Sequence, residues 1–351
     1  MALSAANLLT LNPYTSGYGI NISNNEISNT LSTSDALSIY VDKAATGDGT
    51  GVDWTNAYTT IQSAVNSLPP IVNNAVTIYV RKGATDYDES LIIKNLIVNS
   101  SITLRGEYYW YGTNASDKTG KFDISASDPE YANRANISAG DYVLLTKWTT
   151  TIEGSAVVES FVDTVASFTG TEVTLTTNTG KALTTAWTYT IVKTILTSSV
   201  SAGNTLLVDS INNVTVSGMY ISQGNTGYSL KFNITHNCTA STCYLPNGAL
   251  IFAHSHATFY RCYFARSSCV TTSDMSKSLF YYCVFQASGS GSALSLSNSS
   301  NTYVRYCHIR TGSPTGISAT SGSYCSGTVL NEASTPKSPA SSSDWSHIST
   351  S

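Results

Sequence analysis

The chain has 351 residues, enough for one large domain or a few small ones, and a formal charge of −4. Charged residues make up 11% of it, less than half the usual share of about 25%. No basic run points to nucleic acid, and no stretch of ~18 apolar residues points to a membrane span. The polar, uncharged, Tyr-rich balance instead suits an extracellular β-rich protein that meets carbohydrate or further protein chains. The opening MALSAANLLTLNPYTSGYG has no basic start and no apolar secretory core. Two readings of that conflict stay open: a virion component assembled in the cytoplasm and released by lysis, or a chain whose signal has been removed.

Residues 1–38 read as an N-terminal arm for attachment or oligomerisation. In it, Ile20, Ile22 and Ile27 alternate with Asn and Ser around Asn24-Asn25, a hairpin pattern. A lone hairpin is marginally stable, so this one is expected to need another chain or a larger particle. Residues 39–135 open with a short strand at Ile39 and Val41 and a Gly/Asp/Thr loop. Ala57, Ile61, Ala64, Val65 and Leu68 then recur at helical spacing over 56–68, until Pro69-Pro70 stops the helix. VTIYVRKG, ESLIIKN and SITLRGE follow as short alternating strands. Between 136 and 195 the strands lengthen (GDYVLLTKW, SFVDTVASFTGTEVTLTTN, WTYTIVK), as in a small antiparallel barrel or sandwich. That block reads as an insertion between early coils, although a broad, distorted coil gives a similar pattern.

A repeat occupies residues 196–330. Aligned on Met219, Cys262, Cys283 and Cys307, the apolar positions coincide: Val216, Phe259, Phe280 and Val304 stand three before, and Ile221, Phe264, Phe285 and Ile309 two after. The spacing is 21 from Cys262 to Cys283 and 24 from Cys283 to Cys307, within the range of solenoid coils. The 43 residues from Met219 to Cys262 fit two coils or one coil with a long loop. Residues 331–351 form a Ser/Pro-rich tail, loose or docking.

The order of strand, Gly-rich loop, amphipathic TIQSAV helix and further strands resembles the opening of pectin-lyase-like right-handed parallel β-helix proteins. In them such a helix caps the first coil, which agrees with the need to cover an open end. Together with the coil repeat and the GYGINISNN hairpin, the chain resembles bacteriophage tail spikes and tail fibres. The resemblance implies an all-β parallel β-helix and a location in the virion or outside the cell. It also implies an N-terminal part that docks to other virion proteins, a homotrimer of chains side by side, and host surface polysaccharide as ligand. Two departures stand out: the chain is short for a tail spike, and no C-terminal trimerisation domain is visible.

The aligned cysteines match an inward methionine, so a column of buried thiols at Met219, Cys262, Cys283 and Cys307 is the simplest reading. A disulfide between stacked coils and a metal site are the alternatives. Cys238 and Cys243, in HNCTASTCYLPN within the long-loop reading, are the best disulfide candidates. His254 and His256 lie two apart and lack an evident third ligand for zinc. No metal or other cofactor is expected. Glycoside cleavage usually needs two carboxylates, but from Ile211 onward only Asp274, Glu332 and Asp344 are acidic. No catalytic residue is therefore assigned; a depolymerase, hydrolase or lyase, with a site shared between subunits is the enzymatic alternative, and a cell-surface or filament-forming protein whose arm donates a strand to its neighbour is the other. Asp86, Asp88 and Glu89 in TDYDES fit a turn after a strand, as in the family's G-x-Y-x-E pattern. The candidate ligand-binding side chains are aromatic: Tyr108, Tyr109, Trp110 and Tyr111, with Tyr260 and Tyr282 beside the cysteine column.

Overall fold

The computed structural model describes residues 20–23, 26–29, 32–33, 35–151, 154–199, 203–224, 226–266, 268–288, 291–310, 315–320, 322–331 and 335–339. Its largest feature is a parallel β-helix with three faces. One stretch shows how the chain winds. Tyr244–Leu245, Ala249–Phe252 and His256–Tyr260 form one coil, and Tyr263–Arg266, Val270–Thr272 and Lys277–Tyr281 form the next. Each strand pairs in parallel with its counterpart one coil on. Side chains alternate in and out, so Val76–Val80 and Ile102–Gly106 both bury every second residue.

The helix Ile61–Asn66 buries Ile61, Ala64 and Val65 in the core of the first coils. The hydroxyl of Thr60 accepts from the amide of Ser63, capping the first turn. Glu89 supplies a second cap from 28 residues away. Its carboxylate accepts from the amides of Ile61 and Gln62, both at 2.9 Å. The acid of TDYDES thus has a structural role.

The register corrects two sequence expectations. Tyr220, Tyr244, Tyr263, Val284 and His308 are paired in succession. The residue before each therefore lies in one column: Met219, Cys243, Cys262, Cys283 and Cys307, all buried. HNCTASTCYLPN is not a loop. Cys238–Ser241 is a strand between Val214–Ser217 and His256–Tyr260, and the 43-residue gap is two coils of 24 and 19. Cys238 and Cys243 lie in separate columns as free thiols, so the expected disulfide gives way to two core positions. This coil escapes alignment because its next strand, Tyr244–Leu245, has two residues and small Ala240 stands where the next two coils carry Phe.

The column also has a reason to be cysteine. The residue before each member turns the corner with positive φ: Gly218 (64°), Thr242 (55°), Arg261 (53°), Tyr282 (57°) and Tyr306 (56°). Each thiol then reaches the carbonyl two residues back and one in the preceding coil. For Cys262 these are Tyr260 O at 3.6 Å and Ala240 O at 3.3 Å; for Cys283, Tyr281 O at 3.4 Å and Phe259 O at 3.5 Å. A small apolar side chain with a weak S–H donor suits that place. Burial pushes the thiols of Cys243 and Cys283 up, and that of Cys269 up to about 12. A thiol reagent is accordingly expected to find none of the seven cysteines in native protein and all of them in guanidinium; rapid native labelling at Cys262 would refute the packing.

A six-stranded antiparallel sheet interrupts the coils. Its order is Tyr109–Thr113, Trp187–Val192, Tyr142–Thr151, Gly154–Thr169, Glu172–Leu175, Lys121–Asp123. The sequence pattern assigns 109–123 to the early coils, yet these residues pair in the insertion. YWYGT and KFD are short strands, and nothing local distinguishes a coil strand from an antiparallel edge. The coils on either side of the insertion stack directly: Ile102–Gly106 pairs with Val214–Ser217, and Leu91–Lys94 with Leu206–Asp209.

At the far end Thr335–Pro339 pairs in parallel with Thr315–Ala319. That part of the expected tail is therefore a strand, and residues 340–351 lie outside the described residues. Prolines fit there, because among the described residues no further strand asks for their missing N–H. In the arm, Ile20–Ser23 and Glu26–Asn29 form an antiparallel hairpin with Ile22 opposite Ile27. Residues 1–19 lie outside the described residues.

Candidate functional site

The insertion packs on the β-helix face that carries Tyr220, Tyr244, Tyr263, Val284 and His308. Tyr142 stacks on Tyr220 with centroids 4.2 Å apart. Leu144 packs with Tyr263 and Val284. Ser160 Oγ lies 3.2 Å from His308 Nδ1, with both residues 1% exposed.

Beside this contact is a cleft of about 560 Å³. One side is the outer face of three antiparallel strands. Pairing sets Tyr111, Thr190 and Leu144 in one row and Thr113, Thr188 and Thr146 in the next. The other side is a corner of the β-helix, contributing Tyr260, Arg261 and Tyr282. The Arg261 guanidinium lies 4.7 Å from the ring centre of Tyr111 and 5.2 Å from that of Tyr260. Tyr260 meets Tyr282 edge-on at 5.4 Å. The lining is thus hydroxyls, aromatic rings and one cation.

Three of the six predicted aromatics meet here: Tyr111, Tyr260 and Tyr282. Trp110 does not and is corrected to a core residue. Strand alternation turns it to the opposite face, where it is 0% exposed and its Nε1 donates to Glu130 O at 3.0 Å. Tyr109 packs over Gly218 at the β-helix corner, and Tyr108 stacks on Trp110. A dense aromatic run cannot face one way on a strand, and this one splits between cleft, core and docking contact. The threonine row carries no sequence signal of its own because cross-strand pairing makes it, and Arg261 joins it only because the insertion docks beside its β-helix corner.

The remaining chemistry-bearing groups are otherwise engaged. Asp88 accepts from the amide and hydroxyl of Ser199, both at 2.8 Å, and Asp274 accepts from Asn298 at 2.6 Å. His236 and His256 lie 4.7 Å apart ring to ring, but among the described residues no cluster of three His, Cys, Asp or Glu could hold a metal. Asp128 stands behind the cleft-lining Tyr189, 5% exposed, accepting from Tyr189 Oη at 3.0 Å and from Glu130 N at 2.8 Å. Burial outweighs those hydrogen bonds and raises its carboxyl from 3.8 to about 6.

A carboxyl raised on folding stabilises the fold only while it is protonated. Its contribution is therefore largest below its ordinary value and falls as pH rises from about 4 to about 6. Asp128→Asn is expected to flatten that part of the stability–pH profile relative to the parent protein. Parallel profiles in denaturant titrations across this range would contradict it.

No family model and no curated protein matches the sequence. Among solved structures the chain is similar to the tailspike gp61 of Pseudomonas phage phi297. The identity is 13%, the TM-score 0.29, and the match covers 88% of this chain and 61% of that one. It is also similar to the tailspike gp49 from Pseudomonas phage LKA1, at 14% identity and TM-score 0.24, over 80% of this chain and 56% of that one. A third is the Gp54 tailspike of Acinetobacter baumannii bacteriophage AP22 in complex with A. baumannii capsular saccharide. There identity is 9% and TM-score 0.24, over 83% of this chain and 76% of that one. The chain spans about three-fifths of the length of the first two.

Proposed function

We propose that this is a structural and receptor-binding virion protein of the tail-spike or tail-fibre type, attached through its N-terminal arm. It presents the cleft between β-helix and insertion to a host surface glycan. The observation that carries the reading is the cleft lining: Tyr111, Tyr260 and Tyr282 with the Thr113–Thr188–Thr146 row. Rings offer apolar area at low conformational cost and hydroxyls offer hydrogen bonds, the combination a sugar needs. Two further observations support assembly. Among the described residues the arm hairpin pairs only within itself, a state that is marginal alone. Among the described residues one parallel sheet also ends in an edge strand, Thr335–Pro339, which another chain can cover. Three chains side by side are the proposed form.

The test is binding of the intact protein to bacterial surface polysaccharides, with solution mass measured alongside. Saturable binding lost in a Tyr111→Ala, Tyr282→Ala double variant is expected, with a trimer mass. A monomer at high concentration would sink the assembly reading, and absence of binding across the panel would sink the glycan reading. The second reading, a depolymerase, has one observation in its favour: Asp128, a carboxyl raised to about 6 behind the cleft wall. Release of oligosaccharides by the parent protein but not by Asp128→Asn would establish it.

A further inference from the structure

Arg261 is the single charged residue among those lining the cleft. Several other cations of this protein are neutralised at home, among them Arg81 by Asp42 and Glu107, Lys82 by Asp141, and Arg105 by Glu130. Among the described residues no carboxylate pairs with Arg261 or with Arg305. Arg261 instead rests between the rings of Tyr111 and Tyr260. Such a seat fixes the plane of the guanidinium without neutralising it.

The arrangement continues up the β-helix. Arg261, Tyr282 and Tyr306 occupy the same left-handed corner in three successive coils. Tyr282 stacks on Tyr306 at 5.2 Å, and the guanidinium of Arg305 lies 4.7 Å from the ring centre of Tyr306. Register puts Arg305 two coils above Tyr260. With about 4.8 Å per coil, the two cations are separated by roughly 10 Å along the axis. Tyrosine rings fill the interval. An uncharged sugar would use the rings and hydroxyls and gain nothing from two unneutralised guanidinium groups. A polymer carrying regularly spaced carboxylates would use both, since a fixed guanidinium matches a carboxylate with two parallel hydrogen bonds.

We infer that the cleft and the corner above it form one binding track for an acidic polysaccharide, laid along the β-helix axis, with its carboxylates at Arg261 and Arg305. This rests on the glycan-binding reading above and narrows it to uronate-type or similarly carboxylated chains.

The probe is an immobilised panel of bacterial capsular polysaccharides, neutral and acidic. Each acidic member is also presented after carbodiimide-mediated reduction of its carboxylates to alcohols. Binding of the parent protein is expected only among the acidic members, to weaken with salt, and to drop at least about tenfold on carboxyl reduction, as expected for a charged hydrogen-bonded contact. Arg261→Gln should give a comparable drop on the native acidic polymer and little further change on the reduced one. Arg261→Lys, which keeps the charge but not the fork, should fall between. Equal binding before and after reduction, or binding confined to neutral members, overturns the charge inference and leaves glycan binding standing. No binding to any member overturns both. The reduction arm uses the unaltered protein, so it decides the question even if an Arg261 variant misfolds.

Discussion

Replacing Phe280 with Ala is expected to cost about 3–5 kcal/mol, the range for deleting a buried phenyl ring. Phe280 is fully buried and stacks on Phe259 of the coil below, with centroids 4.9 Å apart and planes within 11°. Its edge also meets Phe264 at 5.9 Å and Phe285 at 5.3 Å, and those two stack on each other at 5.1 Å. Four rings thus interlock across three successive coils, and removing one forfeits contacts on three sides. A solenoid holds each coil mainly through its neighbours, so the loss falls on the joints between these coils. The denaturant midpoint should drop accordingly, and Phe280→Leu, which keeps most of the volume, should cost less than about 1.5 kcal/mol. An Ala variant within about 1 kcal/mol of the parent would mean that the rings do not form the close-packed joint described.

That joint is legible in the amino-acid sequence, whereas other parts of the fold are not, and the difference has physical causes. FYRCYF and FYYCVF repeat every inward position, so the columns through Phe259, Cys262 and Phe264 follow from alternation and spacing alone. The hairpin at Ile22 and Ile27 and the helix over Ile61–Asn66 are likewise local patterns read locally. Cys243 is hidden because its coil replaces the marker Phe with Ala240 and shortens a strand to two residues. The insertion's first strands are hidden for a different reason. Tyr109–Thr113 pairs with Trp187–Val192, far along the chain, and a short alternating strand carries no mark of its partner. The cleft inherits that difficulty. Tyr260 and Tyr282 can be picked out beside a repeat, but Thr113, Thr188 and Thr146 are ordinary sheet threonines until three strands place them in a row.

The contact that joins insertion to β-helix is expected to fail on a single methyl group. Gly218 turns its corner at φ 64°, and a Cβ there would stand 2.1 Å from the ring of Tyr109. The backbone angle is the smaller part of the problem, because Thr242, Arg261, Tyr282 and Tyr306 all tolerate it at the same corner. What sets Gly218 apart is Tyr109, two residues before the cleft-lining Tyr111 and stacked against it at 6.2 Å. Gly106 adds to the crowding, since its own Cβ would stand 2.2 Å from Gly218 O. Gly218→Ala should therefore destabilise by about 2–4 kcal/mol, combining overpacking with the left-handed penalty. Gly140→Ala isolates the second factor, with φ 87° and nothing within 4 Å of a new Cβ, and should cost no more than about 1–2 kcal/mol. The decisive comparison is the double variant with Tyr109→Ala. If the ring is the obstacle, the two changes together should cost about 1–3 kcal/mol less than their sum. Full additivity would place the strain elsewhere. On the glycan-binding proposal, affinity for the polysaccharide should track the same cycle although residue 218 does not line the cleft, because displacing Tyr109 displaces the strand that carries Tyr111.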